Sequence, residues 1–71
     1  MNRAMQLRHL EQAERHVAQG ERNIAQQEER IADLARRGAN TTEAQKLLNT
    51  FFAIQMQHIQ HRNRILTELE E

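Results

Sequence analysis

A chain of 71 residues makes one domain at most, and a domain this small buries only about 60% of its unfolded surface, so it needs a staple or a partner. It has no cysteine, which excludes a disulfide or a thiolate–zinc staple and leaves oligomerisation. Ten basic and ten acidic side chains cancel, so the basic excess of a nucleic-acid binder is missing, and no apolar run approaches the roughly 18 residues of a membrane span.

There is no proline and there are only two glycines, a composition of long helices rather than of a sheet. The expected fold class is all-α. The start of the chain, MNRAMQLRHLEQ, lacks the apolar core of a signal peptide. A soluble cytoplasmic protein is the expectation.

Residues 9–36 divide into four successive sevens: HLEQAER, HVAQGER, NIAQQEE and RIADLAR. Leu10, Val17, Ile24 and Ile31 hold the second position of each, and Ala13, Gly20, Gln27 and Leu34 the fifth. A seven-residue repeat of this kind lays one stripe of a helix along a partner helix, as in a coiled coil. The first helix is predicted over about residues 4–37, with Arg8, Arg15, Arg22 and Arg36 on its solvated face.

Arg36 and Arg37 suit the negative end of the helix dipole, and Gly38 supplies the left-handed residue that closes many helices. Asn40 then reads as an N-cap, with Glu43 three residues later completing a capping box. A stop and a start this close leave a turn at 38–40, which makes the helices antiparallel. The second helix is predicted over about residues 41–69.

The apolar residues of the second helix fall into two groups, displaced by roughly a third of a turn. Leu47, Phe51, Ile54 and Ile65 are expected in the hairpin seam with Leu10, Val17, Gly20, Ile24 and Ile31. Leu48, Phe52, Ile59 and Leu66 are expected at a dimer interface that builds a four-helix bundle. Folding about Ala39 sets residues whose numbers sum to about 78 at one level. Gly20 then faces His58 and makes room for it, Gln27 faces Phe51, Ile24 faces Ile54 and Ala13 faces Ile65.

The same register brings His16 close to His58 and His61, and His-x-x-His on one helix is a weak metal-ligand signal. Gln27, Gln55 and Arg62 interrupt the apolar seams, as register-fixing polar residues do, and Arg62 is placed within reach of Glu14. Ser, Cys, Tyr and Trp are absent, no phosphate loop is present, and no nucleophile–base–orienter set can be assembled. No catalytic residue and no cofactor are expected.

The stretches HxxQAERHVAQGERNIAQQ, LARRGANTTEAQKLL and HIQHRNRIL resemble short uncharacterised bacterial helical-hairpin proteins. The resemblance spans most of the chain and implies a two-helix fold without an activity. The usual turn in that group has His-Asp where this chain has Ala39-Asn40, which keeps the cap and loses a histidine. The leading expectation is a non-enzymatic interaction or structural module that self-associates through its second helix. The alternatives are a metal- or small-ligand-binding bundle using His16, His58 and His61, and a regulatory adaptor that binds another protein's helix.

Overall fold

The structure, a computed structural model, describes residues 2–71. It consists of α1 (Arg3–Arg36) and α2 (Thr42–Glu70), folded back on one another as an antiparallel hairpin. The Cα envelope measures 54 × 14 × 13 Å, the length of one long helix and the width of two.

Each end of α1 is closed by a specific local device. Asn2 is extended and its Oδ1 accepts from the Ala4 and Met5 amides, which satisfies two of the otherwise unpaired N–H groups of the first turn. The sequence reading did not assign this cap. At the other end the Ala39 amide donates to the Leu34 carbonyl at 2.9 Å and the Gly38 amide to that of Ala35 at 3.0 Å. That nested pair is the Schellman arrangement, and it requires the left-handed backbone that Gly38 adopts at φ +74°. Asp33 ties the last turn, taking Arg37 at 2.8 Å and Arg36 at 3.5 Å.

Thr41 holds the N-cap position of α2 without a side-chain cap bond, and Asn40, expected there, stands one residue earlier with its Oδ1 accepting from the Thr42 amide at 2.8 Å. Glu43 departs from the expected capping box. Its carboxylate accepts from Lys46, one turn ahead, and its side chain is 88% exposed. In solvent a lysine partner competes well with a reach back to one amide.

Packing between the helices follows one rule throughout. On α1 the residues Gln6, Leu10, Ala13, Val17, Gly20, Ile24, Gln27, Ile31 and Leu34 are all buried or half-buried. On α2 the same holds of Ala44, Leu48, Phe51, Gln55, His58, Arg62, Ile65 and Leu69. Steps alternate between three and four residues on both helices, an average of 3.5, so the two stripes face each other along the whole hairpin.

This seam corrects the sequence reading in three places. Leu48 is buried at 8% exposure and belongs to the seam, not to an outer interface. Leu47 and Ile54 are 43% and 44% exposed and stand outside it. The register is also offset by about one turn: Gly20 meets Gln55 rather than His58. The register expectation rests on the midpoint of the turn alone, whereas the first two corrections have one physical reason. The α2 stripe passes through Gln55, His58 and Arg62, so ordering residues by apolarity alone rotates the helix away from its true inner face. Of the remaining seam expectations, Leu10, Gly20, Ile24, Ile31 and Phe51 are half-buried and Val17 and Ile65 buried.

Glutamines hold that register. Gln27 Nε2 donates to the Ala44 carbonyl at 2.9 Å, and Gln55 Nε2 donates to the Val17 carbonyl at 2.8 Å. Each helix thus sends one buried amide to the backbone of the other. Gln6, also buried, donates to Glu68 across the open end of the hairpin. Sliding one helix by a turn would strand these buried groups at a cost of about 1–3 kcal/mol each.

Candidate functional site

The seam leaves two flanks, and they differ in chemistry. At 100° per residue, Leu47, Ile54 and His61 fall on one side of the α2 stripe, and Phe52, Ile59 and Leu66 on the other. The first side borders hollows shared with His9, His16, Asn23 and Arg30 of α1. Its opposite on α1 carries Leu7, Glu14, Glu21 and Glu28 at seven-residue intervals.

His9, His16 and His61 lie on the first flank, and His58 stands in the seam beside it. The His16 and His58 rings meet across the seam with centroids 5.3 Å apart and planes tilted by 44°. A hollow of about 90 Å³ adjoins them, bounded also by Gly20, Phe51 and Ile54. One turn toward the open end, His9, Gln12, Ala13, His16 and His61 border a wider depression of about 370 Å³. His9 Nδ1 lies 3.3 Å from Gln6 Oε1. The expected gathering of His16, His58 and His61 is therefore divided: His16 stands between the two hollows, with His58 on one side and His61 on the other. Among the described residues no three His, Cys, Asp or Glu side chains converge to hold a metal ion.

Gly20 has a different task from the expected one. A Cβ at this position would overlap the Gln55 side-chain amide, which fills the space itself. Gln55 Oε1 is buried there without a hydrogen-bond partner, while the other end of the amide holds Val17. Arg62 also differs from expectation. Its guanidinium donates to Asn63 Oδ1 at 3.1 and 3.2 Å instead of crossing to Glu14.

The second flank is notable for apolar side chains in solvent. Phe52 is 45% exposed and Leu66 37%, with Ile59 half-buried between them. Met56, one turn from both Phe52 and Ile59, is exposed as well. Of the four residues expected at an outer interface, Phe52, Ile59 and Leu66 share this stripe and Leu48 does not. Ala18, Ala25 and Ala32 form a small-residue line on the neighbouring shoulder of α1. No helix of the described residues is long and apolar enough to cross a membrane.

The chain matches no family model, no curated protein and no solved structure.

Proposed function

We propose that this protein is a non-enzymatic helical interaction module that self-associates through α2, two hairpins making a four-helix bundle. The observation that carries this reading is the mismatch between a thin core and an apolar exterior. The buried apolar residues are Ala13, Val17, Leu48 and Ile65, while Met5, Leu7, Leu47, Phe52, Ile54, Met56 and Leu66 are exposed.

Surface area gives the mismatch a scale. The hairpin exposes 5457 Å², whereas a folded monomer of 8.4 kDa exposes about 4,600 Å² by the usual mass scaling. A rod of 54 × 14 × 13 Å exposes more than a compact monomer of the same mass, and the excess is the area of two long unburied flanks. Burying a large aliphatic or aromatic side chain is worth about 1.5–3 kcal/mol, a large fraction of the stability of so small a domain.

A second copy suits the patch because Phe52, Ile59 and Leu66 are evenly spaced. A twofold axis at Ile59 pairs Phe52 of one copy with Leu66 of the other, so the stripe is complementary to itself. The Ala18, Ala25 and Ala32 line offers the close approach that the flanking helix of a bundle needs. The chemistry missing from the sequence supports a role without catalysis, and the interleaved charges support a protein partner rather than nucleic acid. The reading includes a soluble cytoplasmic setting and kinship with the bacterial hairpin proteins that the chain resembles.

Sedimentation of wild type and Ile59→Glu tests it. Wild type is expected as a dimer and the variant as a weakened one. A wild-type monomer would instead assign the flank to another protein's helix, the adaptor reading.

A further inference from the structure

On the second flank the apolar row of α2 runs beside an acidic row of α1. Phe52, Ile59 and Leu66 recur every seven residues on α2, and Glu14, Glu21 and Glu28 every seven on α1. We propose, on the basis of this flank being the interaction face, that it takes a basic amphipathic helix of another protein in preference to a second copy of the chain when both are available.

Register brings the two rows together. His58 meets His16 and Gln55 meets Gly20, so Glu14 stands within a turn of the level of Ile59, and Glu21 within a turn of the level of Phe52. The three glutamates are exposed, and among the described residues none of them pairs with an arginine or lysine. Arg15 and Arg22 follow Glu14 and Glu21 directly, about 100° further round α1. Arg62 reaches this side from the seam and is held by Asn63. Glu11 adds a further exposed carboxylate on the same shoulder of α1. Carboxylates therefore exceed cations along the groove between the helices.

A second copy answers the apolar row but not the acidic one. A twofold axis through Ile59 crosses α1 within a turn of Glu14, so Glu11, Glu14 and Glu21 of one copy come close to those of the other. Like charges so placed oppose association. A helix with large aliphatic side chains at seven-residue intervals, and lysines or arginines beside them, satisfies both rows at once. Its apolar face lies on Phe52, Ile59 and Leu66 and its cations meet the glutamates. From Phe52 to Leu66 is about 21 Å of helix, so three heptads of such a partner are enough.

Two synthetic four-heptad peptides test the proposal, alike in their leucines, one with lysine and one with glutamate at the flanking positions. Fluorescence anisotropy of the labelled peptides reports binding, and sedimentation of the protein reports self-association. The lysine peptide should bind and convert the dimer to a one-to-one complex at equal concentration, and the glutamate peptide should not bind. Glu14→Gln, Glu21→Gln and Glu28→Gln combined in one chain should weaken lysine-peptide binding by about tenfold, since three exposed charge pairs are lost. The same triple variant should tighten self-association. A face that is merely apolar cannot move the two equilibria in opposite directions. All three positions are exposed, so the variant folds. Equal binding of the two peptides would overturn the proposal, as would a triple variant that keeps its affinity for the lysine peptide or self-associates more weakly. A dimer that binds neither peptide overturns it and leaves self-association standing. A monomer that binds the lysine peptide through the glutamates supports it and contradicts self-association instead.

Discussion

The side-chain amide of Gln55 occupies the space that a Cβ at Gly20 would need, and from there it donates to the Val17 carbonyl at 2.8 Å. Two residues therefore define each other: the glycine makes a socket and the glutamine fills it. Helix propensity alone favours Gly20→Ala by about 1 kcal/mol, which makes the substitution neutral or stabilising on sequence grounds. The socket reverses that sign. Alanine displaces the amide, costing a buried hydrogen bond and leaving polar atoms unpaired, about 1–3 kcal/mol. Gly20→Ala is expected to be destabilised by about 1 kcal/mol net, and Gly20→Leu by more. Urea unfolding of Gly20→Ala, Gln55→Ala and the double variant measures the coupling. In the double variant the two costs should fall well short of adding; strict additivity would separate the two residues.

The turn should respond to backbone conformation rather than to crowding. Nothing lies within 4 Å of a Cβ built on Gly38, yet its φ is +74°. Gly38→Ala should cost about 1–2 kcal/mol and Gly38→Val more, whereas Gly38→Asn should be tolerated best of the three. Asn40→Ala removes the bond to the Thr42 amide and should cost about 1 kcal/mol. Ala39→Ser should have little effect. Melting temperatures of the five substitutions, taken at one concentration, rank them directly.

A charge introduced on α2 should separate inner from outer positions. Ile65 is 4% exposed, so Ile65→Glu buries an unpaired carboxylate and should abolish the folded hairpin. Ile54, assigned to the seam by apolarity, stands outside it, and Ile54→Glu should fold with near-native helicity. Circular dichroism distinguishes the two. Equal loss of helicity would restore Ile54 to the interior.

The glutamine clamps should trade stability for a single register. Gln27→Leu and Gln55→Leu together would supply apolar seam residues in place of polar ones. The double variant is expected to melt higher and to lose a unique helix alignment, as happens when buried polar residues that fix register are removed. Cross-linking between cysteines introduced at positions 13 and 62 would report the alignment. One product in wild type and several after the double substitution is the expected result.

How much of this was legible in the sequence depends on which residues carry each feature. The α1 stripe was readable because Leu10, Val17, Ile24 and Ile31 are aliphatic and fall seven apart. The turn was readable because Gly38 and Asn40 have few other uses at a helix boundary. The inner face of α2 was not. Its three-four spacing runs unbroken from Ala44 to Leu69, but three of its positions are Gln55, His58 and Arg62, while apolar residues flank it on both sides. A reading that weighs hydrophobicity follows the flanks. A three-four spacing on α2 separates Leu48 from Leu47 only once Gln55, His58 and Arg62 are admitted to the stripe. The His16–His58 contact was approximated, since a register error of one turn still leaves the rings neighbours. The Gln55–Gly20 fit was hidden, because nothing in a sequence states which side chain fills a glycine's missing volume.

The central claim is that the Phe52, Ile59 and Leu66 flank of α2 is covered by a second copy of the chain, and sedimentation equilibrium over a wide concentration range tests it most directly. Wild type should give the mass of two chains, and its melting temperature should rise with concentration, because association stabilises by mass action. Ile59→Glu should shift the equilibrium toward one chain and lower helicity mainly when dilute. A wild-type mass of one chain at every concentration, with a melting temperature that does not change, would contradict the account.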